Sequence, residues 1–300
     1  MFALEINQVS KKYSDFEALK NINFKVSPGD FVGLLGVNGA GKTTLISSVS
    51  GVNRFDGEIK VMGYDVIKQV VKAKQNLGVV PQELAFDPFL TVYQTLKFQS
   101  GLYGVRNNDK WIKEIIERMH LSDKAHTNSR MLSGGMKRRL MVAQALVHKP
   151  PVIILDEPTA GVDVEIRKSL WEFITELHKN GHTILLTTHY LEEVERLCNK
   201  IIMIDKGEII AQSSKADLMN TSSNIATTVQ IETAEGKFTQ ALEPLIINKE
   251  HNIYTLKLEN NDELFSILDA LKIEKIKIEN IQINRPSLED IFIKCINRQK

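Results

Sequence analysis

Gly36-Val37-Asn38-Gly39-Ala40-Gly41-Lys42-Thr43 is the stretch on which the fold turns. It lies between Phe31-Val32-Gly33-Leu34-Leu35, which reads as a buried strand, and Thr44-Leu45-Ile46-Ser47-Ser48-Val49, which continues as a helix. Glycines here let backbone N–H groups close on phosphate oxygens. The helix N-terminus adds positive potential, and Lys42 supplies a mobile charge for β- and γ-phosphates. Thr43 has a hydroxyl suited to ligating magnesium. A plain Gly-rich turn has no need of Lys and Thr directly after its third glycine.

Working outward, Leu4-Glu5-Ile6-Asn7-Gln8-Val9 and Ile22-Asn23-Phe24-Lys25-Val26 alternate apolar and polar, as half-exposed antiparallel strands do. Gly57 to Val61 and Leu77 to Val80 read as further short strands. From about Thr91 to Lys149 the pattern turns helical, with Val92, Leu96 and Phe98, then Trp111, Ile112, Ile115, Ile116 and Met119, near a 3.6 period. Val152-Ile153-Ile154-Leu155 and Thr183 to Thr188 are continuous apolar or β-branched runs, as parallel strands covered on both faces require. A helix from about Asp163 to Lys179 separates them, and Ile201 to Ile210 predicts a hairpin. The polar run Asn220 to Asn224 marks a boundary, dividing a domain of residues 1–220 from a small α+β domain of residues 225–300. In the second, Thr228–Ile231, Ile253–Leu258 and Ile276–Ile278 alternate like strands, and Glu263 to Leu271 reads as a helix. Ser287 with Asp290 caps a last helix. The apolar phase slips between Ile278 and Ile281, so a bulge near Glu279-Asn280 or two short strands is expected.

Composition bounds the class. The chain has 300 residues, 43% of them hydrophobic, and a net charge of +1, so it can fill such cores and offers no electrostatic hint of nucleic acid. Cys198 and Cys295 stand apart, outside any C-x-x-C spacing, which argues for a reducing compartment and against structural zinc. No run approaches the roughly 20 apolar residues of a membrane span, and the N-terminus lacks a signal-peptide pattern. The expectation is a soluble intracellular chain that reaches a membrane only by docking on another chain.

Polar positions follow the predicted parallel strands: the phosphate loop after Leu35, Gln82 after Val80, Asp156 and Glu157 after Leu155, and His189 after Thr188. Ligands bind outside the carboxyl ends of such strands, so these groups should gather on one edge. Asp156 would be costly at the end of an apolar strand unless it held a cation, which points to magnesium shared with Thr43. Glu157 precedes Pro158, which biases it toward an extended backbone, and its carboxylate is the candidate base for attacking water. Gln82 suits orientation of water or ligation of magnesium, and His189 suits a γ-phosphate contact. Leu132-Ser133-Gly134-Gly135-Met136 opens another helix and forms a second anion site. Two phosphate-binding surfaces on one chain suggest head-to-tail pairing, with each Ser133 loop over the partner's Lys42 loop.

Together these residues resemble the nucleotide-binding subunit of an ATP-binding cassette (ABC) transporter over roughly residues 4–220. The resemblance implies a P-loop NTPase cassette with a mixed sheet core, an antiparallel β layer and a helical subdomain at about 91–149. It implies a Walker A loop at Gly36 to Thr44, a Q-loop at Gln82, a signature at Leu132 to Met136 and a Walker B strand at Val152 to Asp156. It also implies the catalytic carboxylate Glu157, a D-loop at Ala160-Gly161-Val162-Asp163 and the switch His189, with ATP and Mg2+ as ligands. Tyr13 falls where the family stacks an aromatic ring on adenine, although it equally fits strand packing. Met136 stands where the family has Gln or Glu. The segments 133–140, 156–163 and 286–292 are similar to the daunorubicin-resistance-like, type-2 exporter branch, nearest the bacterial YadG-like subunits. That branch implies two ATPase subunits on separate membrane permeases at the cytoplasmic face of the inner membrane. Phe86, Asp87, Pro88, Phe89 and the helix after Thr91 are then the docking surface or plain core and turn. The other readings are a soluble cassette ATPase acting on ribosomes or DNA, and an importer ATPase whose tail, residues 225–300, regulates it.

Overall fold

The computed structural model describes residues 1–83, 87–221, 227–234, 238–258, 261–284 and 287–297. The chain divides into two compact units, Met1–Lys215 and Ala216–Lys300. The first begins with β1 (Leu4–Tyr13) and β2 (Phe16–Val26), passes through β3 (Phe31–Leu35) into α1 (Lys42–Val49), and returns as β4 (Asp56–Val61) and β5 (Tyr64–Asp65). After α2 (Val70–Gln75) and β6 (Leu77–Val80) come the helices α3 (Val92–Leu102), α4 (Asp109–Arg118) and α5 (Gly134–Leu146). Then follow β7 (Val152–Asp156), α6 (Val164–Lys179), β8 (Thr183–Thr187), α7 (Leu191–Leu197), β9 (Lys200–Asp205) and β10 (Glu208–Ser214).

These strands form two sheets. The antiparallel layer has the order β2-β1-β4-β5, and the central sheet has the order β10-β9-β3-β8-β7-β6. Pairing is parallel from β9 through β6, and β10 closes the edge antiparallel to β9. Every residue of β3, β7 and β8 is buried, as their unbroken apolar character demands. Leu34, Ile154 and Leu185 join Ile6, Leu19 and Leu45 in one core that fuses the two sheets through α1. Each such side chain contributes about 1.5–3 kcal/mol relative to exposure.

The helical stretch departs from its simple periodic reading at one place. Leu96, Ile112, Ile115 and Ile116 are buried, but Phe98 is 61% exposed. Thr91 starts α3 with a reciprocal capping box to Gln94.

The second unit starts within α8 (Lys215–Thr221), so part of the polar run read as a boundary is helical, while residues 222–224 lie outside the described ones. Its strands β11 (Thr227–Thr233), β12 (Ile246–Glu250), β13 (Ile253–Leu258) and β14 (Ile278–Asn284) form an antiparallel sheet in the order β12-β13-β11-β14. Its helices are α9 (Asn261–Ile273) and α10 (Leu288–Asn297). Val229, Ile231, Tyr254 and Leu256 bury one sheet face against Ile267 and Leu271 of α9. The phase slip resolves into a bulge: Asn280 pairs with Glu232 and Ile278 with Thr233, leaving Glu279 as the extra residue. Ile276 and Lys277, read as strand, precede β14. Ser287 caps α10 reciprocally, its amide donating to Asp290 Oδ2 at 2.9 Å and its hydroxyl accepting from the Asp290 amide at 3.2 Å.

Candidate active site

The loop between β3 and α1 owes its shape to close backbone approach. A Cβ on Gly36 would sit 2.5 Å from the Ile204 carbonyl oxygen, and one on Gly41, whose φ is +109°, would sit 2.7 Å from that of Ala18. No other residue fits there without moving β2 or β9. The Lys42 ammonium donates to the carbonyls of Gly36 at 2.7 Å and Val37 at 3.1 Å. Burial lowers its pKa, an effect opposed by attraction to Glu157 and Asp156. A cleft of about 420 Å³ opens over the loop, lined by Asn38, Gly39, Gly41, Lys42, Thr43 and Thr44 together with Gln82, Asp156 and Glu157. The strand order explains this gathering. β6, β7, β8 and β3 are consecutive neighbours, so Gln82, Asp156-Glu157, His189 and the loop leave one sheet edge in that sequence.

Asp156 is 3% exposed and pairs across the sheet with Thr187, whose hydroxyl donates to Asp156 Oδ1. Burial raises the Asp156 pKa above the usual carboxylate range; the Thr187 bond pulls it back, Glu157 pushes it up, and Arg138 and Lys42 pull it down. Beside it, Glu157 Oε2 accepts from Gln82 Nε2 at 3.2 Å, and Glu157 Oε1 lies 3.4 Å from His189 Nδ1. One carboxylate therefore bridges the ends of both flanking strands.

Its backbone is not extended, as Pro158 led one to expect. Glu157 has φ +48°, in the left-handed region. The reason is a set of main-chain bonds that outweighs the proline preference. Its amide donates to the Thr187 carbonyl at 2.9 Å, and its carbonyl accepts from the Ala160 amide at 3.2 Å and from Arg138. Strain of this kind, on the order of 1–3 kcal/mol, persists only where neighbours over-determine it.

The remaining expected residues are placed elsewhere in the unit. Ser133 caps α5, accepting from the Met136 amide at 3.3 Å, and Ser133, Gly134 and Gly135 do not line the cleft that holds Lys42. Asp163 caps α6 through the Ile166 amide at 2.9 Å. Tyr13 is not in the cleft lining either: its hydroxyl accepts from Asn53 Nδ2 at 2.8 Å, and Lys11 Nζ sits 4.6 Å over its ring. The aromatic side chain that lines the cleft is Phe16, 64% exposed, with Ala18 beside it. Phe16 pairs with Tyr13 across the β1–β2 turn, so a reading of the turn as a whole would have included it.

Comparison with known proteins gives the family. The family model described as ABC transporter matches residues 19–160, and the one described as ATP-binding protein DrrA1-3-like, C-terminal domain, matches residues 222–296. The chain is 36% identical over 308 residues to the linearmycin resistance ATP-binding protein LnrL of Bacillus subtilis, an alignment covering 98% of each. The chain belongs to the ATP-binding subunits of ABC transporters. It is 34% identical to the Nod factor export ATP-binding protein I of Rhizobium etli, over 100% of this chain and 95% of that one. Identity to the daunorubicin resistance ATP-binding protein DrrA3 of Streptomyces coeruleorubidus is 33%, over 97% and 95%. Among solved structures, an ATP-binding subunit of an ABC transporter superposes with TM-score 0.70 at 27% identity, over 73% of this chain and 93% of that one. A dimeric ATP-binding cassette in a post-hydrolysis state with ADP and phosphate shares the fold, with TM-score 0.64 at 23% identity over 70% and 98%.

This ABC subunit is thus an ATPase with a P-loop cassette. Its cassette carries a second concavity away from the phosphate loop. One hollow of about 310 Å³ is lined by Leu77, Pro81, Met141 and Gln144 and shares Lys74, Gln99 and Tyr103 with an adjoining hollow of about 340 Å³ near Val71 and Leu102. Tyr103 stacks on His148 with ring centroids 3.6 Å apart, and burial depresses the His148 pKa to about 4, so the ring is neutral at pH 7. Exposed apolar side chains line the second hollow, Val71 at 71% and Leu102 at 67%; Phe89, ahead of the start of α3, is 78% exposed. Phe86 lies outside the described residues. Among the described residues, no helix is long and apolar enough to cross a membrane.

Proposed function

We propose that this ABC ATPase powers export through a separate membrane permease, and that Glu157 is the base of its hydrolytic step. The observation that carries the reading is the Glu157 carboxylate, held between Gln82 and His189 at the edge of the cleft that contains Lys42. From there it accepts a proton from attacking water, while Gln82 orients that water and His189 contacts the γ-phosphate. Backbone N–H groups of the Gly36–Thr43 loop and the Lys42 ammonium bind the phosphates and stabilise charge that develops as the bond to the leaving group breaks. The hard-oxygen donors Thr43, Asp156 and Gln82 share the cleft lining and fit Mg2+, which when bound neutralises phosphate charge. Phe16 offers a π-face at the cleft wall for the nucleotide base, alongside the role first read for Tyr13.

Ser133, Gly134, Gly135 and Asp163 complete the site in trans. Two copies face head to tail, each lending its Ser133 turn to the nucleotide on the partner's Lys42 loop. The position of the Ser133 turn outside the Lys42 cleft of its own chain supports this, as does a dimeric cassette among the fold relatives. ATP closes the pair and hydrolysis reopens it, so only a ligand that favours the closed state does work. The groove around Tyr103, Gln99 and Leu102 receives cytoplasmic helices of the permease, and the subunit works at the cytoplasmic face of the inner membrane. Export, rather than import, is supported by the full-length similarity to a Nod factor export protein and to two resistance proteins.

Glu157→Gln tests the centre of this reading. It should keep ATP binding, stabilise the dimer in size-exclusion chromatography and lower steady-state phosphate release by about 10²–10⁴-fold. Wild-type turnover in that variant removes the base assignment.

A further inference from the structure

Helix α5 carries a buried cation behind the catalytic residues' main chain. Arg138, on the first turns of α5, is 3% exposed, and its guanidinium reaches the main chain at the ends of both β6 and β7. Nε donates to the Pro158 carbonyl at 3.2 Å, and Nη1 donates to the carbonyls of Pro81 at 2.6 Å and Gln82 at 2.9 Å. Nη2 donates to the carbonyls of Asp156 and Glu157. A guanidinium has five N–H groups in a fixed fork, and here each meets a different carbonyl.

Burying a charge is costly unless it is fully hydrogen-bonded, and this one is. Its partners are not a random set. They are the backbone of Pro81 and Gln82, the backbone of Glu157 and the residues on either side of Glu157, where φ at Glu157 is +48°. The next residue works on the other side of α5: Arg139 Nη1 donates to the carbonyls of Met119 at 2.7 Å and His120 at 3.0 Å, just beyond α4. Consecutive arginines thus tie the helix that begins at Ser133 to the catalytic edge and to the helical subdomain.

The geometry points to Arg138 as a positioning residue for hydrolysis: it fixes the backbone of Gln82 and Glu157 and so couples the Ser133 helix to the catalytic carboxylate within one chain. This rests on the base role proposed for Glu157. Arg138 does not line the nucleotide cleft and meets Gln82 and Glu157 through their main-chain carbonyls, so its loss should spare nucleotide binding and reduce the chemical step.

The test uses the full-length chain carrying Arg138→Gln, Arg138→Met and Arg138→Lys. Affinity is measured by titration with a fluorescent ATP analogue and turnover by phosphate release. For Gln and Met, the dissociation constant should stay within about threefold while kcat falls about tenfold to a hundredfold, because a misplacement of about 1 Å at a catalytic group costs on that order. Lys should rescue poorly, since three ammonium N–H groups cannot replace a planar fork of five. Combining Arg138→Gln with Glu157→Gln should give turnover no lower than Glu157→Gln alone, as expected for groups acting through one another. Wild-type kcat in the Gln and Met variants, loss of analogue binding in both, or multiplied effects in the double variant would each overturn the proposal. Failure of the base assignment is read separately, from normal turnover by Glu157→Gln alone, and takes this proposal with it.

Discussion

Thr187→Val probes the electrostatics of the site directly. Thr187 is fully buried and faces Asp156 across the β7–β8 ladder, and its hydroxyl is the side-chain donor to Asp156 Oδ1. Valine keeps the branched shape and removes the donor. The Asp156 pKa is already raised from 3.8, chiefly by burial, and the Thr187 bond is the largest factor lowering it, so the substitution raises it further. A carboxyl whose folded pKa exceeds its unfolded one contributes stability at acid pH that is lost as pH rises through the folded pKa. The variant should therefore suffer most at neutral pH, where an ionised oxygen is left unpaired, at about 2–3 kcal/mol, and lose only about 1 kcal/mol toward pH 4. For a unit of this size the neutral-pH loss corresponds to a drop of about 4–12 °C in Tm. Differential scanning calorimetry of wild type, Thr187→Val and Thr187→Ser across this pH range reads it, with other titrating groups cancelling in the difference. Thr187→Ser keeps a hydroxyl and should show a small, pH-independent loss. Equal losses for Thr187→Val at both ends of the range would refute the electrostatic argument and leave only packing.

His148 gives a pH dependence of opposite sign. Its folded pKa, depressed to about 4 from 6.5, means the unfolded chain binds the proton first, so stability falls as pH drops from 6.5 toward 4. His148→Phe keeps the stack on Tyr103 and cannot be protonated, and urea melts should show that slope flattened by about 2 kcal/mol over the window. For the head-to-tail dimer, Lys42→Ala and Ser133→Arg should each be inactive alone. Mixing them restores one complete site per heterodimer, so phosphate release should recover on mixing, and no recovery counts against sites shared between chains.

The cassette was legible in the sequence because its chemistry is local. A phosphate loop needs its glycines, lysine and threonine in consecutive positions, and a strand buried on both faces must be apolar throughout, so Gly36–Thr43, Val152–Asp156 and Thr183–Thr187 announced themselves. The Ser287–Asp290 cap is likewise a contact between near neighbours. Tertiary structure alone decided what depends on pairing across distance. It placed β8 between β3 and β7, so that His189 and Gln82 approach Glu157 from opposite sides. It set Glu157 in a left-handed conformation against the preference imposed by Pro158, because Thr187 and Arg138, from distant parts of the chain, bond its backbone alongside the local Ala160 amide. It also put Phe16 rather than Tyr13 at the cleft wall and turned Arg138 inward. Periodicity records which face of an element is apolar, but not which strand end a buried guanidinium will meet; that is fixed only when α5 packs on β6 and the carbonyls at the ends of β6 and β7 require a donor.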